Sequence, residues 1–110
     1  MAYGYVYIAQ YDKGRNFFKA TQKKGIVDLK IVTQEDFPLI PEAKEKQIIE
    51  EEIKNKLYNF DPYNDYLLLS GSMINISLCV SYLLRIHQKI NVLKYERIID
   101  DYVTVELNAI

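Results

Sequence analysis

The fold is decided by the segment that spans residues 66–96 and reads YLLLSGSMINISLCVSYLLRIHQKINVLKYE. Its first four residues, Tyr66 to Leu69, form an apolar run that is typical of a strand covered on both faces of a sheet. The turn Ser70-Gly71-Ser72 follows, and the apolar residues after it predict a helix from Met73 to about Gln88. Residues 90–96 indicate another strand, so the segment predicts a right-handed, parallel strand–helix–strand crossover.

The residues outside this segment predict the rest of a small α/β domain. Period-two alternation and β-branched residues indicate strands, while Pro41 suits the first turn of a helix and Asn16 can cap a short one. The predicted elements are strands at residues 3–10, 26–33 and 102–107, a short helix at 17–23, an amphipathic helix from Glu42 to Leu57, and a hairpin turn at Asp100-Asp101.

This order of elements predicts the fold class. Strand–helix–strand units build parallel sheets, and a closing hairpin adds an antiparallel edge strand. We therefore expect a small Rossmann-like mixed sheet of about five strands, in two or three layers, with two main helices and a C-terminal β-hairpin. A chain of 110 residues is of ordinary size for one domain, so residues 1–110 are expected to form a single α/β domain.

Charge is distributed unevenly along a chain whose net charge is only −1. Residues 1–30 carry six cationic side chains against two acidic ones, and residues 31–66 carry four against nine. The near-zero total argues against a protein that binds nucleic acid through overall positive charge. Any such binding would have to use the cationic N-terminal segment.

The cellular compartment is indicated by three features of the sequence. Cys79 is the single cysteine, so no intrachain disulfide forms, which suits a reducing compartment. The most apolar stretch, residues 66–86, is interrupted by serines, Asn75 and Arg85, whereas a bilayer span needs about 20 mostly apolar residues. Residues 1–10 lack a basic and apolar signal sequence. We expect a cytoplasmic protein without a membrane helix.

A phosphate site is predicted at the turn between the apolar strand and the helix that follows. Backbone N–H groups and the positive end of a helix dipole meet at such a turn, and a glycine lets a ligand approach closely. The candidate residues are Ser70, Gly71, Ser72 and Asn75. The alternative is that Ser72 only caps the helix, because one glycine is far less specific than a glycine-rich motif and no P-loop lysine is present.

A nucleic-acid surface is the second candidate, because cations alternate with aromatic residues near the N-terminus. Single strands are bound by cations along the backbone and by flat rings under the bases. The candidate residues are Lys13, Arg15, Phe17, Phe18, Lys19, Lys23 and Lys24, with Tyr3, Tyr5 and Tyr7 on a neighbouring strand face. The alternative is that the rings pack in the core and the lysines are solvated, and we expect at least one phenylalanine to be buried.

The helix from Met73 is apolar around most of its circumference, which is unusual for a surface helix. Its polar stripe consists of Ser77, Ser81 and Arg85 at a spacing of four residues. Small serines would let a second backbone approach closely, so this stripe predicts a homodimer interface. The alternative is that the core covers the helix from both sides.

No catalytic or metal-binding pattern is present. His87 is the single histidine and stands near a predicted helix end, where a capping role is expected. Cys79 lies among apolar helix residues and is expected to be inert packing. We predict no catalytic residues, no metal site and no cofactor.

Residues 60–72, which read FDPYNDYLLLSGS, the apolar helix after them and residues 90–95 (INVLKY) resemble a family of small proteins of phages and archaeal viruses. The resemblance covers the C-terminal half of the chain. It implies a viral protein in the host cytoplasm and supplies no catalytic residues. Together with the patterns above it favours a small viral accessory protein that acts by binding a protein partner or single-stranded nucleic acid, as a homodimer. The alternative is an enzyme or sensor that binds a nucleotide phosphate at the turn.

Overall fold

Strand pairing defines a five-stranded mixed sheet in the computed structural model, which describes residues 4–22 and 25–110. Two main helices and a closing β-hairpin complete the chain, and this confirms the predicted α/β class; the Rossmann-like label stays a prediction. The strands are β1 (Gly4–Gln10), β2 (Ile26–Thr33), β3 (Tyr66–Leu68), β4 (Lys89–Glu96) and β5 (Asp101–Asn108), and the helices are α1 (Glu45–Leu57) and α2 (Met73–Ile86). A short 3₁₀ helix, Phe18–Gln22, connects β1 to β2.

The strand order is β2-β1-β3-β4-β5, with the first four strands parallel and β5 antiparallel to β4. The connections through α1 and α2 move across the sheet in one direction, and the connection through the 3₁₀ helix moves in the other. Because parallel crossovers are right-handed, the two directions place their connections on opposite faces. Accordingly, α1 and α2 pack on one face and the 3₁₀ helix packs on the other.

A hydrophobic core lies on each face of the sheet. Successive side chains of β1 alternate between the two, as the pleat requires, so that Tyr7 and Ala9 face α1 and α2 while Val6 and Ile8 face the 3₁₀ helix. The larger core is completed by buried residues of both helices, including Ile53 and Leu83. The central β3 contributes Leu67 and Leu68 to opposite faces, as its continuous apolar run predicts.

Helix α1 begins three residues later than the sequence predicts. Pro41 lies outside the helix, because the chain forms tight turns there in place of a first helical turn. The N–H of Ala43 donates to the oxygen of Ile40 at 3.1 Å, and the N–H of Lys46 donates to that of Ala43 at 3.3 Å. Both bonds span three residues, whereas an α-helix requires four.

The hairpin turn also differs from the prediction, since it occupies residues 97–100 and Asp101 is already the first residue of β5. Asp100 has a φ of 49°, in the left-handed region that aspartate tolerates better than most residues. The short helix predicted at residues 17–23 is the 3₁₀ helix Phe18–Gln22, and Asn16 lies two residues before its start, where its Oδ1 accepts from the N–H of Phe18 at 2.8 Å. Neither helix of the described chain has the length and hydrophobicity that crossing a bilayer requires.

Candidate functional site

The turn Ser70-Gly71-Ser72 lies at the carboxyl end of β3, beside the end of β1. The strand order reverses between these two strands, since the connection after β1 leads to one side and the connections after β2 and β3 lead to the other. In open α/β sheets, ligands bind in the crevice outside the carboxyl ends of the strands at such a reversal. The predicted phosphate turn therefore stands where the topology favours a ligand.

The side chain of Gln10 occupies this turn. Its Oε1 accepts from the N–H of Ser72 at 2.6 Å, and its Nε2 donates to Oδ1 of Asp36 at 2.8 Å. A Cβ on Gly71 would stand 2.2 Å from Cβ of Gln10, so the glycine is required by this contact. The sequence predicts that the N–H of Ser72 binds a phosphate, but in the structure this N–H already donates to Gln10.

Asn75 is fully buried and uses its whole amide within the protein. Its Nδ2 donates to Oγ1 of Thr33 and to the oxygen of Glu35, both at 2.9 Å. Its Oδ1 accepts from the N–H of Phe37 at 3.0 Å and from Oγ of Ser72 at 2.9 Å. Asn75 therefore fastens the loop after β2 to the start of α2, which is a structural role that sequence reasoning missed.

Ser72 caps α2, as one of the two alternatives expected. Its Oγ accepts from the N–H of Asn75 at 3.2 Å, and its main-chain oxygen accepts from the N–H of Ile76. Ser70 differs, because its hydroxyl is buried without a hydrogen-bond partner among the described residues. A buried hydroxyl without a partner costs free energy, so its presence at the turn calls for an explanation.

A cavity that Gly71 lines is acidic. This cavity measures about 630 Å³, and it lies between the ends of β1 and β2. Three carboxylates line it against a single lysine, Lys13. An anionic ligand would be repelled from this side of the turn. Within the part of the chain that the structure describes, no group of three potential ligands is placed to hold a metal ion.

The predicted nucleic-acid segment divides into buried and exposed residues. Phe17 is buried against the sheet, as expected for at least one of the pair, whereas Phe18 is 62% exposed. Arg15 and Lys13 are exposed, and Lys19 donates to Oδ2 of Asp100 at 2.8 Å. Lys23 and Lys24 lie outside the described residues.

The predicted tyrosine platform does not form an open surface on β1. Tyr7 is buried, and Tyr5 is half-buried with Nζ of Lys30 4.0 Å from the centre of its ring. Both rings contribute to the core on the face that carries α1 and α2. Tyr3 lies outside the described residues.

Helix α2 exposes the stripe that the sequence assigned to a dimer interface. Ser77, Ser81 and Arg85 are all exposed, whereas the opposite side of the helix buries Asn75, Cys79 and Leu83. At 100° per residue, the outward side is completed by apolar residues, all exposed or half-buried. We call this side the α2 face and define it by Met73, Ile74, Ser77, Val80, Ser81 and Leu84.

A comparison with protein families identifies the chain's relatives. The family model described as Phage Pam3 gp32-like protein matches residues 4–109. The chain belongs to this family. The match covers both halves of the chain, so the similarity to phage proteins extends beyond the C-terminal half in which the sequence patterns suggested it. No curated protein and no solved structure matches the chain.

Two further residues of this phage-family protein, Cys79 and His87, differ in whether the side chain has the role that the sequence suggests. Burial raises the pKa of the Cys79 thiol to about 12, so the thiol stays protonated and unreactive. His87 ends α2, where its backbone N–H donates to the oxygen of Leu83 at 2.9 Å. Its main chain, and not its ring, makes this cap.

Valines of β5 extend the apolar surface beside α2, and sequence reasoning missed this arrangement. Val103 and Val105 pair with Lys94 and Val92 of β4, which places them on the sheet face that carries the helices. They are 39% and 40% exposed, because α2 does not cover the edge strand. Side chains alternate between the two faces along β5, so the exposed position of these valines follows from the sequence once the strand order is known.

Proposed function

We propose that this protein acts by binding and that it does so as a two-fold homodimer joined across the α2 face. One observation supports the proposal above the others: a helix on the outside of the domain presents an outward side with a single charged residue, Arg85, at its last turn. Surface helices of monomers normally carry several charged residues there. Apolar side chains exposed together in this way are typical of protein interfaces.

The serines support a second copy as the occupant of the α2 face. Ser77 and Ser81 stand one turn apart at the centre of the face, where their small side chains let two helix axes approach closely. Flanking residues such as Met73, which is 80% exposed, would lose solvent contact on both copies. Each Å² of apolar surface buried contributes about 25 cal/mol to association.

Arg85 favours a two-fold arrangement over a parallel one. A two-fold axis through the centre of the face brings identical surfaces together with the two helices antiparallel. The two Arg85 side chains then lie at opposite ends of the interface, where they do not repel each other. Val103 and Val105 lie on the same side of the sheet and add apolar area at the rim.

Analytical ultracentrifugation at micromolar concentration tests the homodimer. We expect a mass about twice that of the 12.9 kDa chain. Ser81→Glu should return the monomer, because two carboxylates would be buried at the contact without partners. Ile48→Glu is the matched control, since Ile48 is exposed on α1, outside the α2 face, and should leave the dimer intact. A monomeric wild-type chain would contradict the proposal.

A further inference from the structure

A cationic groove lies at the carboxyl ends of β3 and β4, on the other side of Gly71 from the acidic cavity. It consists of two adjoining cavities of about 700 and 420 Å³ that share Arg15, Tyr95 and Arg97 as lining residues. Leu69, Gly71 and Lys94 line the larger one. The groove therefore joins the loop after β1, the turn after β3 and the end of β4.

Three cations converge on this groove without acidic partners. Arg15, Lys94 and Arg97 are exposed, and none of them takes part in the three ion pairs found among the described residues. The groove's acids are Glu96 and Asp100, and the latter is engaged by Lys19. The larger cavity therefore has three cations against one carboxylate, which attracts an anion.

Tyr95 forms a fixed wall of the groove. Its hydroxyl donates to Oδ1 of Asp100, and its ring stands edge-on to that of Tyr102 with centroids 5.5 Å apart. Because Lys19 holds the same aspartate, the ring is tied to both the 3₁₀ helix and the hairpin turn. An aromatic ring held in this way offers a surface for a base beside the cations.

The buried hydroxyl of Ser70 is a second unusual feature of the turn that borders the groove. Ser70 stands between Leu69 and Gly71, which both line the groove, and its Oγ has no hydrogen-bond partner among the described residues. Polar groups buried in this way often mark sites that a ligand or water completes. Ser70 itself is 2% exposed and is not among the residues that line either cavity, so the groove is defined by its cations and by Tyr95.

We propose that this groove binds the phosphate of a nucleotide unit, free or within a single strand, through Arg15, Lys94 and Arg97. Guanidinium groups match phosphate oxygens in bidentate geometry, and Tyr95 flanks the base. The site differs from the predicted turn site, because side-chain cations bind the phosphate and the N–H of Ser72 stays with Gln10. Its three cations lie outside the residues that define the α2 face, although Met73 lines both that face and the larger cavity.

Fluorescence anisotropy of a labelled oligothymidylate at low salt tests this site. We expect saturable binding that weakens steeply with salt, since each phosphate contact releases counterions. Arg97→Gln should weaken binding about ten-fold or more, because a charge-assisted hydrogen bond is lost. Lys94→Gln should act in the same direction. Lys56→Gln removes one charge from α1, outside the groove, and should change binding less than about two-fold.

Competition by thymidine monophosphate distinguishes a free nucleotide from a nucleotide unit within a single strand as the source of the phosphate. Displacement by the mononucleotide would identify a nucleotide site, and retention of the strand against millimolar mononucleotide would identify a single-strand site. No binding of either probe at low salt would overturn the proposal. Equal affinities for Arg97→Gln, Lys94→Gln and wild type would also overturn it, provided that circular dichroism shows folded variants.

Discussion

Gly71 and Gln10 show at the residue scale why the turn after β3 needs a glycine. Gly71 has a φ of +99°, which side chains other than hydrogen rarely permit, and the carboxamide of Gln10 passes where a Cβ would stand. The sequence suggested that the glycine lets a phosphate approach. The structure gives the glycine a role within the fold, so a substitution there affects stability as well as any ligand.

Gly71→Ala should lower the free energy of unfolding by about 1–3 kcal/mol, because the backbone is strained and Gln10 must move. Gly14→Ala is the matched control: its Cβ would meet only Oδ1 of Asp12 at 3.7 Å, and its effect should stay within about 1 kcal/mol. Urea denaturation measures both. Equal stabilities of the two variants would show that the Gln10 contact does not constrain the turn.

At the scale of secondary-structure elements, Asp65 connects the loop before β3 to β1. It is buried in the loop between α1 and β3, where Oδ1 accepts from the N–H of Tyr5 in β1 at 2.8 Å. Its Oδ2 accepts from the N–H of Asp61 at 2.7 Å, which closes the loop on itself. One carboxylate thus joins the end of the α1 connection to the first strand.

Burial raises the pKa of Asp65 above the ordinary value of 3.8, although its backbone hydrogen bonds oppose the shift. The carboxyl of Asp65 therefore binds its proton more tightly in the folded state than in the unfolded state. Its contribution to the free energy of unfolding is fully present below pH 3.8 and declines as the pH rises through the raised pKa. We expect the stability of wild type relative to Asp65→Asn to fall over that interval. Urea titrations at a series of pH values measure the difference, and a constant difference would contradict it.

At the scale of the whole molecule, α1 and α2 form one layer on the sheet, and the outward side of α2 is exposed to solvent. The 3₁₀ helix covers part of the opposite face, whereas the α2 face and the valines of β5 remain open to solvent. A homodimer would bury this surface, and folding would then be linked to association.

Linkage predicts a melting temperature that rises with protein concentration. A hundred-fold increase in concentration should raise the Tm of wild type by several degrees, because mass action stabilises the folded dimer. Ser81→Glu should melt at a temperature that does not depend on concentration, and Ile48→Glu should follow wild type. Differential scanning calorimetry provides the measurement, and a concentration-independent Tm for wild type would argue for a monomer.

The sequence by itself determined the kinds and order of the elements, since periodicity, caps and turn residues are local properties. It predicted the apolar run of β3 and the polar stripe of α2, and it gave the Ser72 cap as one of two alternatives, all from residues at most four positions apart. It placed the start of α1 and the bounds of the hairpin turn less well, because successive tight turns and helical turns have similar sequences.

Only the tertiary structure decided which distant residues meet. The side chain of Gln10 contacts the turn at Gly71, and Asn75 binds the loop that contains Thr33 and Phe37. Arg15 lines the same cavity as Lys94 and Arg97. These contacts form because β1 lies between β2 and β3 while β4 lies beside β3. Strand order depends on long-range pairing, which no local pattern encodes. For this reason the sequence identified the turn as a candidate site, and the fold placed the unpaired cations on one side of it and the carboxylates on the other.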